Sequence, residues 1–136
     1  MEERDYKVTI KRTSKELTKI ERIAFKDLSN CLKLDEVLES VPEDSFNIEV
    51  AAFVELEIHN EKVRGGDNKD YNAYIIVSKT GEKYATSSNT FWNAFSDIAE
   101  ELEEELESGE GFTIEVYRRP SRNFAGKYFI TCSIVA

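Results

Sequence analysis

The sequence has little of what most chemistry requires: two cysteines, two prolines, one histidine, one tryptophan and six glycines in 136 residues. Cys31 and Cys132 lie far apart, with no CxxC neighbour and no companion histidine. That argues against a disulfide framework and a zinc cluster, and both read as small apolar residues of a reducing compartment. His59 is alone, and no phosphate-binding glycine loop or nucleophile motif accompanies it. The chain is therefore expected to be no enzyme and to need no metal or cofactor. No apolar run approaches the ~18 residues of a membrane span. Residues 1–12 alternate charged and apolar side chains without a signal-peptide hydrophobic stretch, so a cytoplasmic location and no membrane partner are the expectation.

Positive charge is also missing, but only in places. Residues 35–61 carry nine carboxylates and residues 97–110 carry eight, with no lysine or arginine in either stretch. Without those 17 acids, ten of the 27 remain against 18 bases, so a chain of formal charge −9 contains a remainder of +8. The bases are densest in residues 117–128, where Arg118, Arg119, Arg122 and Lys127 alternate with Tyr117, Phe124 and Tyr128 and no acid intervenes. Cations meet phosphates and rings meet bases, so this pattern suits a single-stranded polyanion.

What is present is enough for one domain, residues 1–136, able to bury roughly two thirds of its unfolded-chain surface. Tyr6, Val8 and Ile10 alternate with Lys7, Thr9 and Lys11, which predicts a short strand. Leu17, Ile20, Ile23, Ala24 and Leu28 then recur at helical spacing, with Thr18 and Glu21 placed as a capping box. A weaker helical turn spans residues 33–39. From Phe46 to His59 the period becomes two, with Phe46, Ile48, Val50, Ala52, Val54, Leu56 and Ile58 on one face, which predicts a long bent strand with one buried side. Phe53 falls on its polar side. Two strands around Thr80-Gly81 follow, then a helix through Phe91, Phe95, Ile98, Leu102 and Leu106 started by Ser87 or Ser88. A second strand pair, residues 112–117 and 128–135, closes the chain.

From residue 46 the order is three strands, a helix and two strands. The predicted fold is therefore mainly β with α, an α+β chain: residues 46–136 form a five-stranded oligonucleotide-binding (OB) type barrel with a helix between strands three and four, and residues 1–45 an added strand and helix. An open split β-α-β sandwich satisfies the same periods. In an OB barrel the loops after strands one and four flank the ligand, and here both carry bases: residues 61–70 hold Lys62, Arg64 and Lys69 beside Glu61, Asp67 and Asp70, and residues 119–127 hold Arg119, Arg122 and Lys127 with no acid. With Arg118 these are the expected phosphate contacts. Phe53, Tyr74, Tyr117 and Phe124 are the expected base-stacking rings, whereas Phe91 and Phe95 share the helical stripe and belong to the core. The Glu100 to Glu107 run reads as a solvated helix face that would also orient an approaching polyanion.

The pattern YATSSNTFWNAFSDI leading into an acidic helix, then FTIEVYRRPSRNFAGKYFITCSIV, and more faintly ELTKIERIAFKD, resembles the small OB-fold single-stranded DNA-binding proteins of phages and conjugative plasmids of Gram-positive bacteria. The resemblance implies sequence-independent coating of single-stranded DNA, or RNA, during replication, recombination or transfer of a mobile element. It also implies homo-oligomers along the strand and contact with replication or transfer proteins. Many such proteins end in an acidic recruitment tail, and this sequence instead ends in Ser133-Ile134-Val135-Ala136. A competing expectation is an acidic protein-interaction inhibitor that presents its glutamates to another protein, as a DNA mimic or an anti-defence factor, and binds no nucleic acid.

Overall fold

A computed structural model describes residues 6–41, 45–60, 70–120 and 128–135. In chain order they form β1 (Tyr6–Thr13), α1 (Lys19–Phe25), a 3-10 turn (Leu28–Asn30), β2 (Leu32–Lys33), α2 (Leu34–Ser40), β3 (Ser45–Asn60), β4 (Asp70–Ser78), β5 (Lys83–Thr86), α3 (Asn89–Glu101), α4 (Glu103–Ser108), β6 (Phe112–Pro120) and β7 (Tyr128–Ile134). The strands make one sheet in the order β2-β5-β4-β3-β6-β7, with β1 added to β3. The fold is mixed α+β around an open sheet curled into a half-barrel.

β3 organises it. One edge of this strand carries β6 along Ser45–Val50 and then β1 along Val54–Asn60, while β4 takes the opposite edge from Val50 to His59. The alternation of β3 was expected to bury one face throughout. Instead its register against β4 slips between Val50 and Ala52, and this bulge reverses which side chains point inward. Ile48 and Val50 face the larger core, and beyond the bulge Phe53 does so. Val54, Leu56 and Ile58 turn to the other face, where a second core lies with Val8, Phe25, Ala73 and Ile75. The placement of Phe53 among polar neighbours in sequence thus has a cause: one extra residue shifts the period by one.

The larger core fills the inside of the half-barrel. Phe91, Trp92, Phe95 and Ala99 of α3 pack onto Phe53, Tyr74, Ile76, Phe112, Ile114 and Ile130, and α2 adds Leu34 and Leu38. α3 lies against β7 more extensively than against any other strand. β5 and β7 form no ladder with each other among the described residues. Ser88 caps α3 by accepting from the Phe91 amide at 3.2 Å.

The expected continuous helix through Leu106 is broken at Leu102, whose φ and ψ of −108° and 27° separate α3 from α4. Carboxylates at 100, 101, 103, 104, 105 and 107 would repel at i,i+4 in an unbroken helix and crowd its negative end. The break moves Glu103, Glu104 and Glu105 into the first turn of a new helix, where the dipole favours them. Past α4 the chain returns to β6 through Gly111 at φ +68°. A Cβ there would stand 2.2 Å from the Val50 carbonyl oxygen, so the approach of this turn to β3 requires glycine.

The N-terminal strand and helix form as predicted. The capping box of α1 is complete, with the Glu21 amide donating to Thr18 Oγ1 at 3.1 Å and the Thr18 amide to Glu21 Oε1 at 3.0 Å, and these bonds hold the Glu21 carboxyl below its ordinary range. The inward residues differ from expectation. Phe25 is the buried anchor of α1, while Ile20 and Ile23 are 80 % and 70 % exposed. A helix of seven residues laid against the curved outside of a sheet touches it through about one residue per turn, and the rest of the stripe is left in solvent.

Both cysteines are free thiols. Burial pushes Cys132 up to about 12, and burial with the Glu82 carboxylate pushes Tyr84 up to about 12. Both groups therefore keep their protons longer in the native state than in the unfolded chain, whose values are 9.0 and 10.0. Their contribution to stability is fully present below those values and is lost as pH rises toward about 12. Urea unfolding at pH 7.5 and 10.5 is expected to give the lower midpoint at the alkaline pH; equal midpoints would contradict these environments.

Candidate nucleic-acid interface

The β6–β7 hairpin has two unlike faces. Phe112, Ile114 and Val116 point into the core, so Thr113, Glu115, Tyr117 and Arg119 point out. Across the ladder Tyr117 pairs with Thr131, Arg119 with Phe129 and Glu115 with Ser133. Phe129 is half-buried yet belongs to neither core cluster. Register therefore collects Tyr117, Arg119 and Phe129 on one outward surface.

Local bonds order this surface. The Arg119 guanidinium carbon stands 5.4 Å from the Tyr117 ring centroid, and Arg119 Nη2 donates to Tyr117 Oη at 3.3 Å. Tyr117 Oη also shares a hydrogen with Ser133 Oγ at 2.7 Å. Arg119 remains exposed, with most of its five N–H donors directed at solvent. A guanidinium laid over a ring beside a second ring is an arrangement that meets a phosphate and a base together. Glu115 is the acid of this face, two residues down the strand.

Other expected contacts are placed differently. Arg118 lies on the inward side of β6 near α2; its Nη2 donates to the Asp35 carbonyl at 3.1 Å and stands 3.8 Å from the Glu39 carboxylate. It secures a helix and is not offered to a phosphate. Phe53 and Tyr74 are corrected as base-stacking residues, being 6 % and 2 % exposed beneath α3. The Tyr74 ring stacks on Trp92 with centroids 4.3 Å apart, and its hydroxyl donates to Asn89 Oδ1 at 2.9 Å. Phe53 meets Trp92 and Phe95 edge-on at 5.4 and 5.7 Å. No ring face is left for a base. Lys62, Arg64, Lys69, Arg122, Phe124 and Lys127 lie outside the described residues.

The two basic segments were expected to flank one groove. Their roots leave from opposite ends of β3: Asp70 pairs with His59 near its C-terminal end, whereas Tyr117 pairs with Ser45 at its start. The segments themselves, residues 61–69 and 121–127, lie outside the described residues. Beside the root of residues 61–69 the outer face of β4 and β5 forms a groove of about 510 Å³, with Ala73 and Ala85 as floor and Tyr71, Lys33, Leu28 and Ser87 among its walls. His59 Nδ1 lies 2.6 Å from Asp70 Oδ1 at the same root.

Sequence reasoning missed Phe129 and Tyr71. Phe129 was legible in outline, because it shares a period-two face with Thr131 and Ser133 and is an aromatic among polar residues. Tyr71 carried no such signal, since the bulge in β3 decides which face of β4 is covered. Among the described residues no group of three His, Cys, Asp or Glu is placed to hold a metal ion, and no helix is long and apolar enough to cross a membrane. No protein-family model, no curated protein and no solved structure matches this chain.

Proposed function

We propose that this protein is a non-enzymatic module that binds single-stranded DNA without sequence preference, as the replication, recombination or transfer of a phage or mobile element would use it. The observation that carries this reading is the outward surface of Tyr117, Arg119 and Phe129, where register brings a cation and two rings to one side of the β6–β7 ladder. The strand connectivity supports it. Within β3 to β7 the order β5-β4-β3-β6-β7, with α3 and α4 inserted before β6, is the order of an OB barrel whose first strand is shared by both halves. The strand would cross the exterior of β6 and β7, and Arg122, Phe124 and Lys127 continue the same basic and aromatic pattern in sequence. The acidic α3–α4 surface discourages approach from the wrong side.

Fluorescence anisotropy with labelled oligo-dT tests the reading, beside duplex DNA and RNA of the same length. About three phosphate contacts predict a fall in affinity of roughly ten- to twentyfold between about 50 and 200 mM salt, with duplex bound more weakly throughout. Absence of oligonucleotide binding at low salt would overturn the proposal and leave the acidic inhibitor as the better reading.

A further inference from the structure

Two surfaces outside the hairpin match each other. On α1, Ile20 and Ile23 are the most exposed large apolar side chains of the described residues, and they sit one turn apart among exposed Lys19, Arg22 and Lys26. None of these three bases forms an ion pair among the described residues, while the neighbouring acids are engaged elsewhere, Glu21 by the Thr18 amide and Lys15, and Asp27 by Ser29, so the two isoleucines are flanked by three bases free of ion pairs. Singly scattered apolar residues are ordinary on a surface, but these are two adjacent β-branched side chains on one short helix, and no described residue of their own chain covers them.

The second surface is a groove of about 400 Å³ between the end of β1 and the α3–α4 pair. Phe53, Ala99 and Leu106 supply an apolar floor, and Glu100, Glu103 and Glu107 form one wall, all three exposed and none in an ion pair among the described residues. The opposite wall holds Arg12, whose guanidinium carbon rests 5.1 Å from the centre of the Phe53 ring. Apolar knobs flanked by bases face, on the same chain, an apolar floor walled by acids.

We propose that a second copy of this chain docks its α1 patch in this acidic groove, Ile20 and Ile23 on the floor and Arg22 with its neighbours against the glutamates. The patch and the groove are different surfaces of one chain, so the contact is heterologous, each copy offering a donor and an acceptor. Charge complementarity selects the partner: the groove would repel another acidic surface, and the α1 patch would repel another basic one. Packing of the two isoleucines supplies affinity, and the charges set register and salt sensitivity. The inference is independent of nucleic-acid binding.

Sedimentation velocity on the whole chain tests it without any ligand. The weight-average mass is expected to rise with protein concentration at low salt and to return toward the monomer at about 0.5 M salt, where surface charges are screened within roughly 4 Å. Ile23→Ser, Arg22→Glu and Glu103→Arg are each expected to weaken association at least about tenfold with unchanged thermal melts, because all three positions are exposed. Combining Arg22→Glu with Glu103→Arg restores the pair with its signs exchanged, so association is expected to recover to within about threefold of the original. A chain that stays monomeric up to about 500 μM at low salt, single variants that associate as before, or a double variant no better than either single one would each overturn the proposal.

Discussion

Combining Arg119→Glu with Phe129→Ala is expected to lower affinity for oligo-dT by on the order of a hundredfold, because a stacked base is worth about 1–3 kcal/mol and the reversed charge removes a phosphate contact and adds a repulsion. Both side chains lie on the outward surface of the β6–β7 hairpin and outside both core clusters, so the melting temperature should change little. The salt dependence should flatten as well, by about one phosphate's share for the lost arginine. Anisotropy titrations at two salt concentrations, with a thermal melt as control, measure all three quantities. Retention of full affinity would remove this hairpin from the interface and move attention to the groove beside Tyr71. Arg118→Gln is the informative companion. Because its guanidinium holds the Asp35 carbonyl and approaches Glu39, its loss should loosen α2 and leave oligonucleotide affinity nearly unchanged.

Phe53→Ala should act on the fold, with an expected loss of about 3–5 kcal/mol, the usual cost of emptying a buried aromatic site. The ring lies between Trp92 and Phe95 edge-on and under the Arg12 guanidinium, at the point where the bulge turns β3. Its neighbours cannot close the gap without moving α3, which Tyr74 and Asn89 tie to β4 by a hydrogen bond of 2.9 Å. For a chain of 136 residues that loss corresponds to a melting temperature lower by on the order of 10–20 °C. It is also a large part of the 5–15 kcal/mol that typically separates native from unfolded states. Calorimetry measures the shift. The oligonucleotide affinity of the molecules that remain folded should equal that of the unaltered protein. Loss of binding without loss of stability would instead return Phe53 to the interface and contradict its burial.

These two experiments divide what the sequence made legible from what it concealed. Periods of two and of about 3.6 located β1, α1, β3, the hairpin at Thr80-Gly81, α3 and the last two strands, and capping residues marked the starts of α1 and α3. Each of these signals is local, written in residues a few positions apart. The face that a strand buries is also local until an extra residue intrudes. Nothing in the run from Val50 to Phe53 announces a bulge, so Phe53 looked solvent-facing and is instead central to the core. The same slip turned Val54, Leu56 and Ile58 outward and created the second core that β1 and α1 cover.

The sequence by itself determined the segregation of charge, the kinds of element and their order, because composition, hydrophobic period and capping depend on neighbours along the chain. Only the tertiary structure decided which rings are buried and which arginine of β6 faces outward. Those questions turn on register between strands distant in sequence, and a shift of one residue exchanges the inner face for the outer. Tyr74 and Tyr117 are both tyrosines on alternating strands; one is sealed beneath Trp92 and the other faces outward beside Arg119. What separates them is the presence of a helix over one end of the curled sheet and none over the outer face of the last hairpin among the described residues.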